Sequence, residues 1–514
     1  AYGTARGTNG GFYRYSPQRK HILRYSQYSI PNPWGVAYDE YGQDFFLHTS
    51  GPSVTWMMPG SVKARYAANM KAPSILTSNN VRPTSGIEFV SSRHFPEEVQ
   101  GDVILCNNIG FLGAKQHRMI EKNTGFTTEF RHDLFKAEDR NFRPVDLEFA
   151  PDGSLYFVDW HNVLIGHMQH NARDPLRDHS HGRIYRVTYP SRPLIEPAKV
   201  HGASIDELLA NLALPEARLR YRTRRELRGR SADEVLPKLK AWAQAQTDEQ
   251  HKLEALWVSW GLNRLDQELL KSLLQSEDHR IRSAAVRVLR FNGHQVDNQV
   301  DLLREAAKDP HGRVRLEAIT SASHLPPRSG LEIISLAEAA GLDDFSSQSH
   351  QFAKAVLEGS QIDSSEPKIT APSHVPKEAH ESYVRGHEIY LREGHCGTCH
   401  QEDGNGLPAN GFPPLAGAKW TTQSKERLIK LTLNGLMGPI TVKGQEFPGH
   451  VPMTPFGGLL NDQEIADVLT YVRNSFGNKS STVTADDVAT VRKADNKKGF
   501  WDPAELLKLH PHEK

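Results

Sequence analysis

Five residues in the last quarter of the chain, Cys396-Gly397-Thr398-Cys399-His400, constrain it more than any other segment. The C-x-x-C-H spacing sets two thiols one helical turn apart, placed to add to the two vinyl groups on one edge of a porphyrin. The next residue then puts an imidazole under the iron. A zinc or redox reading of these cysteines needs two further Cys or His ligands, or a thioredoxin-like surround, and neither stands nearby. The spacing predicts one covalent haem c, with Cys396 and Cys399 as its thioether residues and His400 as an axial iron ligand. Such a chain moves single electrons, and its expected location is periplasmic or otherwise extracytoplasmic.

Composition bounds the rest. At 514 residues, and roughly 150 residues per domain, three or four domains are expected. A formal charge of +1 points to neither nucleic acid nor an anionic membrane. No apolar run approaches the ~20 residues of a membrane-spanning helix. The opening AYGTARGTNGGFYRYSP lacks the apolar stretch of a signal peptide and reads as the interior of a domain, so a cleaved presequence or a longer precursor is expected. Three cysteines are too few for a disulfide framework. The third, Cys106, lies in the apolar run Asp102–Cys106 and reads as a buried, inert thiol.

Residues 1–195 have the texture of β structure, and a pattern recurs within them. Gly35-Val36-Ala37-Tyr38 leads through a turn to Asp44-Phe45-Phe46-Leu47. Gly86-Ile87-Glu88-Phe89 leads to Asp102-Val103-Ile104-Leu105, and Asp146-Leu147-Glu148-Phe149 to Leu155-Tyr156-Phe157-Val158. A strand–turn–strand unit at this spacing is the signature of β-propeller blades. About three blades fit where closure needs at least four, so an incomplete propeller is expected, completed by an upstream segment or another polypeptide; a smaller irregular β domain is the alternative. Residues 196–350 switch to helical periodicity. Arg218-Leu219-Arg220, Arg280-Ile281-Arg282 and Arg313-Val314-Arg315 each open an amphipathic helix, with Lys252-Leu253-Glu254 where a fourth copy belongs. The pattern is similar to HEAT repeats, whose arginines serve turn geometry and solvation. Residues 351–378 read as a linker, 379–478 as the haem domain and 479–514 as a C-terminal extension.

The surroundings of the C-x-x-C-H motif resemble the all-α class I cytochrome c fold. Gly386 and Tyr390 stand on a predicted helix over 383–393 and would face a closing helix that starts at Asn461, with Glu464 completing a capping box. The apolar face of that helix is Ile465, Val468, Leu469 and Val472. By the same resemblance, the carbonyl of Pro413 would accept the free N–H of His400 and fix its tautomer. The resemblance also places the sixth iron ligand in the loop before the closing helix. Met453, between Pro452 and Pro455, is the choice; Met437 and His450 are the alternatives, the latter giving a lower potential than a Met/His iron.

The order of propeller, helical repeats and C-terminal cytochrome resembles a family of large extracytoplasmic haem-binding, dehydrogenase-like proteins best known from planctomycete-type bacteria, whose propellers look like those of soluble quinoprotein sugar dehydrogenases. In those quinoproteins an N-P-x-G segment and a G-P turn lie near a quinone and its calcium; Asn32-Pro33-Trp34-Gly35 and Gly51-Pro52 stand in those places. The relatives' arginine before N-P is Pro31 here, which removes a cationic contact for PQQ. A second cluster runs through Asp159, His161, Asn162, His167, His170, Arg173, Asp174, Arg177, Asp178, His179 and His181. At a propeller mouth it would bind calcium, a quinone or a polyol, with Asp159 and Asn162 as oxygen ligands and His161 as proton acceptor; a solvated loop is the plainer reading. Two functions follow as expectations. One is the haem-bearing part of a PQQ-type dehydrogenase oxidising a sugar or alcohol. The other is a non-catalytic cytochrome or scaffold that docks its haem on a partner, with an electron donor or acceptor protein as the redox partner in either case.

Overall fold

The computed structural model describes residues 7, 10–30, 32–49, 54–65, 68–162, 175, 177–360, 369–392, 394–408, 411–449 and 451–513. Pro31, Gly51, Pro52, His167, His170, Arg173, Asp174 and His450, all singled out above, lie outside them.

The three strand–turn–strand units form antiparallel hairpins that open three successive sheets. They are β3 (Pro33–Tyr38) with β4 (Asp44–His48), β6 (Thr84–Phe89) with β7 (Val103–Asn107), and β10 (Pro144–Phe149) with β11 (Leu155–Asp159). Further strands extend each meander: β5 (Thr55–Trp56) the first, β8 (Gly113–Lys122) and β9 (Gly125–Lys136) the second, β12 (Arg183–Val187) the third. A separate hairpin, β1 (Tyr13–Ser16) and β2 (His21–Arg24), precedes them. Each opening strand carries the same irregularity, a register shift at Pro33/Gly35, Thr84/Ile87 and Pro144/Asp146. The opening strands also lie side by side. A Cβ on Gly86 would stand 2.7 Å from the Asp146 Cα, and one on Gly35 3.1 Å from the Ile87 side chain, so glycine there is what lets neighbouring sheets approach. The described strands close neither a barrel nor a ring.

The helical region repeats as geometry as well as sequence. Helices Ala217–Arg228, Glu249–Gly261, His279–Asn292 and Gly312–Ala322 each start at one of the charged triplets. In three of them the second arginine clamps the preceding turn in the same way. Arg220 donates to the carbonyls of Leu214 and Pro215 (2.9 and 2.8 Å), Arg282 to those of Ser276 and Glu277 (2.7 and 2.9 Å), and Arg315 to those of Asp309 and Pro310 (2.7 and 2.9 Å). The first arginine of each triplet does something the turn-and-solvation expectation omitted: it reaches the β region. Arg218 donates to Glu88 (2.7 Å), Arg280 lies 4.5 Å over the Tyr41 ring, and Arg313, itself buried, donates to the Thr124 and Gly125 carbonyls (3.1 Å each) and pairs with Glu121. Two positions apart at a helix start, the two side chains diverge, one to the turn and one to the sheet. Tyr28, Ile30, Phe46 and Met57 share one apolar core with Leu253, Ile281, Val314 and Ile333. The β and helical regions therefore form a single packed body.

The segment expected as linker is helical at its start: helix Asp344–Glu358 runs into it and ends at Gly359, whose φ of 67° is positive. The C-terminal domain has its own core, which includes Val375 upstream and Val483, Val488, Val491, Trp501 and Leu506 downstream. The C-terminal extension is thus part of that domain's packing. Among the described residues, no helix is long and apolar enough to cross a membrane.

The buried Glu317 holds the helical body to the sheets through charge. It accepts from Arg287 Nε (2.8 Å), and Arg287 in turn donates to the Gly42 carbonyl; Arg290 lies 3.9 Å from Glu317 and donates to Ser61 (3.0 Å). Removing the carboxylate would strand two buried guanidinium groups. Glu317→Ala is expected to cost roughly 3–5 kcal/mol in urea unfolding followed by circular dichroism, with much of the loss recovered when Arg287 is also made Met. An unfolding curve that matches the unsubstituted protein would show that these arginines do not depend on Glu317.

Candidate functional site

Helix His380–Leu391 crosses helix Asp462–Asn474 at Gly386, where a Cβ would overlap the Asp467 carbonyl. Around the crossing Tyr383, Tyr390 and Phe476 pack on Tyr471, at ring separations of 5.1, 5.3 and 5.6 Å. The closing helix starts with the capping box read from the sequence, Asn461 and Glu464 bonding each other's backbone N–H. Its residues Ile465, Val468, Leu469 and Val472 are buried.

From this crossing the chain turns into the one-turn helix Cys396–His400. The Tyr390 hydroxyl donates to the Gln401 carbonyl (2.6 Å) and fixes the end of that turn. Gly404 and Gly406, at φ 68° and 66°, then fold the backbone back on itself: Gly406 N–H donates to the His400 carbonyl (2.9 Å) and Leu415 N–H to that of Gly404 (2.7 Å). The result places the Pro413 carbonyl oxygen 2.8 Å from His400 Nδ1, leaving Nε2 as the nitrogen with a free lone pair.

Cys396, Cys399 and His400 open onto a cavity of about 880 Å³, within the range of cofactor sites. One end is an apolar crevice lined by Leu428, Leu431, Val442, Phe447, Leu469 and Val472, with Met453 and Pro413 among its other walls. Burial pushes the Cys396 thiol up to about 12 and raises that of Cys399, which the Arg82 guanidinium partly offsets; it also lowers His400. The lowered His400 stays neutral, as an imidazole ligand requires, while the two thiols are consumed when thioethers form. The donor set and the apolar walls fit a haem. Met453 lines the crevice, whereas Met437 is 52% exposed and is not part of it.

The other end of the cavity belongs to the β region. Its lining comes from matching places in the three sheets. Asn32 and Trp34 come from the start of β3 and Thr49 from just after β4. Arg82 and Pro83 come from before β6 and Asn108 from after β7; Val145 lies in β10, and Trp160 and Asn162 follow β11. Arg177, Asp178 and His179 complete it, with the Arg177 guanidinium 5.8 Å from the Trp160 ring. Sequence reading found Asn32, Trp34, Asn162, Arg177, Asp178 and His179, but not Arg82 or Asn108. The signal for Arg82 was present: each opening strand is led by an X-Pro pair, Asn32-Pro33, Arg82-Pro83 and Arg143-Pro144.

The structure divides the expected Asp/His/Asn cluster. Asp159 is buried with its oxygens engaged, accepting from the Arg143 and His161 backbone N–H (2.6 and 2.8 Å) and from Arg183 Nε (2.6 Å). This geometry makes it a knot in the strand end. Neither Asp159 nor His161 lines the cavity, while Asn162 does, so Asp159 and Asn162 are not brought together as an oxygen-ligand pair. Arg143 ties adjacent sheets at the rim, donating to the Asn108 and Asn162 carbonyls (3.0 Å each). Among the described residues, no group of three or more His, Cys, Asp or Glu could hold a metal ion.

Comparison with known proteins agrees with this division. Residues 383–476 match the cytochrome c family, and residues 2–191 match a domain of unknown function (DUF7133). Over 116 residues, 21% of this chain, the sequence is 37% identical to cytochrome c-552 of Thermus thermophilus and covers 83% of that protein. It is 38% identical over 111 residues to the cytochrome c subunit of a quinone alcohol dehydrogenase from Gluconacetobacter polyoxogenes. It is 35% identical over 130 residues to that of gluconate 2-dehydrogenase from Pantoea cypripedii. These stretches are 21% and 24% of this chain and only 22% and 27% of the two subunits. The C-terminal domain carries a covalently bound haem c.

The crossing at Gly386 supports the crevice directly. Gly386→Val is expected to lower the melting temperature of the C-terminal domain, at a cost of about 1–3 kcal/mol or more from overpacking. Calorimetry showing an unchanged transition would mean that the two helices separate without penalty.

Proposed function

Because the chain belongs to the cytochrome c family through its C-terminal domain, we propose that Cys396 and Cys399 form the haem thioethers and that His400 and Met453 are the axial pair. Pro413 orients His400 by accepting its Nδ1–H, and Pro452 and Pro455 stiffen the segment that presents Met453. Haem c supplies a one-electron Fe(III)/Fe(II) couple. Met453→Ala should abolish the iron–sulfur charge-transfer band of the oxidised spectrum and Met437→Ala should retain it. The reverse pattern would move the ligand to Met437.

In this reading the protein is an extracytoplasmic electron-transfer protein whose haem takes electrons from a donor held against the β region. A single observation carries it: the haem crevice and the rim of the three sheets are one cavity. A molecule bound among Asn32, Trp34, Arg82 and Arg177 would lie beside Cys399, so transfer would be intramolecular and independent of collision with a second protein. The rim is where matching strand ends converge, as at the mouth of a propeller, and the recurring arginine clamp supports HEAT-type repeats. Arg82 offers the cationic contact that Pro31 does not, and the half-exposed indoles of Trp34 and Trp160 suit a planar or sugar-like molecule. These residues fit an anionic quinone such as PQQ; the engaged Asp159 does not fit a calcium ligand. The activity proposed is oxidation of a sugar or alcohol, as in the dehydrogenases whose cytochrome subunits resemble this domain.

The second reading, a cytochrome docked on a partner redox protein, draws on those relatives being subunits. Spectrophotometry of the oxidised full chain separates the two. With PQQ, calcium and a panel of sugars and alcohols, reduction of the haem is expected, and Arg82→Ala should slow it at least about tenfold, the loss of roughly 1.4 kcal/mol. A haem that stays oxidised with every substrate, yet is reduced by a purified dehydrogenase, would favour docking.

A further inference from the structure

The chain beyond residue 478 lies past the part that matches the cytochrome c family, which ends at 476. It packs back across the haem domain, and it grips the loop that carries Met453 from both sides. Helix Ala485–Ala494, capped by Thr484, buries Val488 and Val491 on the domain core. From it Arg492 donates to the carbonyls of Gly457 (2.6 Å) and Leu460 (3.2 Å) and pairs with Asp462 (2.6 Å). That hold falls on the stretch between Met453 and the closing helix. Asp495 then accepts from Asn434 Nδ2 (2.9 Å), at the end of the helix that leads into the loop.

A second hold is made by Trp501. Its N–H donates to the Gly435 carbonyl (3.1 Å) and its carbonyl accepts from Met437 N–H (3.0 Å), so its backbone brackets Leu436. The Leu436 carbonyl in turn accepts from Met453 N–H (2.8 Å). Three chain segments thus lie edge to edge, Trp501 parallel to Leu436 and Leu436 antiparallel to Met453. Gly435, at φ 74°, leaves the room: a Cβ there would collide with the Met453 carbonyl and stand 2.8 Å from the Phe500 ring. The indole is 5% exposed, and Lys497 covers its face at 4.7 Å.

We propose that residues 479–513 are a strap that positions the axial sulfur, with Trp501 as its positioning residue. The physical need comes from the loop itself. Pro452 and Pro455 have no N–H, so the backbone around Met453 has few donors with which to anchor itself. The Met453 N–H bond to Leu436 is one of those few, and the segment receiving it depends on Trp501 for its own neighbouring bonds. A thioether is a weak ligand whose hold on iron is set by how firmly the backbone presents it, and local opening of such a loop is governed by how few contacts oppose it. Truncating the Trp501 side chain leaves its backbone N–H and carbonyl in place but empties a buried site in the core on which Leu436 packs, which loosens the segment that bonds Gly435 and Met437. The ligand loop then opens more often while the two helices that cross at Gly386 stay packed.

This inference rests on Met453 being the axial ligand, and the test separates the two claims. The oxidised full chain is titrated with imidazole, which binds iron only when the sulfur has left; charge-transfer absorbance and midpoint potential are recorded alongside. For Trp501→Ala, imidazole affinity should rise at least about tenfold, since apparent affinity scales with the open fraction. The charge-transfer band should weaken and the potential fall, with the denatured haemochrome yield unchanged; Trp501→Phe should recover most of the effect. Should Trp501→Ala fail to accumulate as holoprotein, Arg492→Gln tests the other grip with the same readouts. Values equal to the unsubstituted protein in a folded variant would overturn the strap while leaving the ligand assignment intact. A charge-transfer band that survives Met453→Ala would overturn the ligand assignment, and the strap with it.

Discussion

Where Gly386 meets Asp467, two helices approach until there is no room for a methyl group, and the haem crevice exists because of that approach. With the backbones in contact, Tyr383, Tyr390, Tyr471 and Phe476 are left to close around the crossing as an aromatic packet. The Tyr390 hydroxyl then fixes the end of the Cys396–His400 turn. The turn that carries His400, its orientation by Pro413 and the crevice that Met453 lines are all built out from this junction. An apolar crevice that large would cost the fold heavily if it were not filled, which is the physical counterpart of a covalently held cofactor.

The remainder of the chain is organised around a different kind of contact. Arginines at the starts of repeated helices divide their work, one member of each pair clamping a turn and the other reaching into the sheets. Such bonds are directional, so they set the register of the helical body against the strands in a way apolar burial alone would not. The rim of strand ends left uncovered by the helices is the surface on which the haem crevice opens.

Much was legible in advance where spacing carries chemistry. C-x-x-C-H, the Asn461/Glu464 capping box and the glycine at the helix crossing each impose a local geometry that few residues satisfy, and each stands in the structure where its pattern placed it. The three hairpins were legible for the same reason, through alternation and turns. The cluster after β11 was not. Asp159 has the composition of a ligand, but whether a carboxylate faces a cavity or its own backbone is decided by atoms remote in sequence, here Arg143 and Arg183. The signal for Arg82 is not local: the X-Pro pair it belongs to stands out only when the three strand starts are aligned, and its place in the cavity comes from those starts converging.

Sequence by itself determined that this chain binds haem, because covalent attachment depends on five contiguous residues and a turn of helix. It determined the repeats and the order of the regions, since periodicity is a property of the chain. Tertiary structure alone decided that the crevice opens on the β region, that Met453 lines it and Met437 does not, and that the last thirty-odd residues pack beside the segment that carries Met453. These are relations between segments far apart along the chain. No local spacing encodes them, and only burial and hydrogen-bond satisfaction over the whole fold can choose among the alternatives.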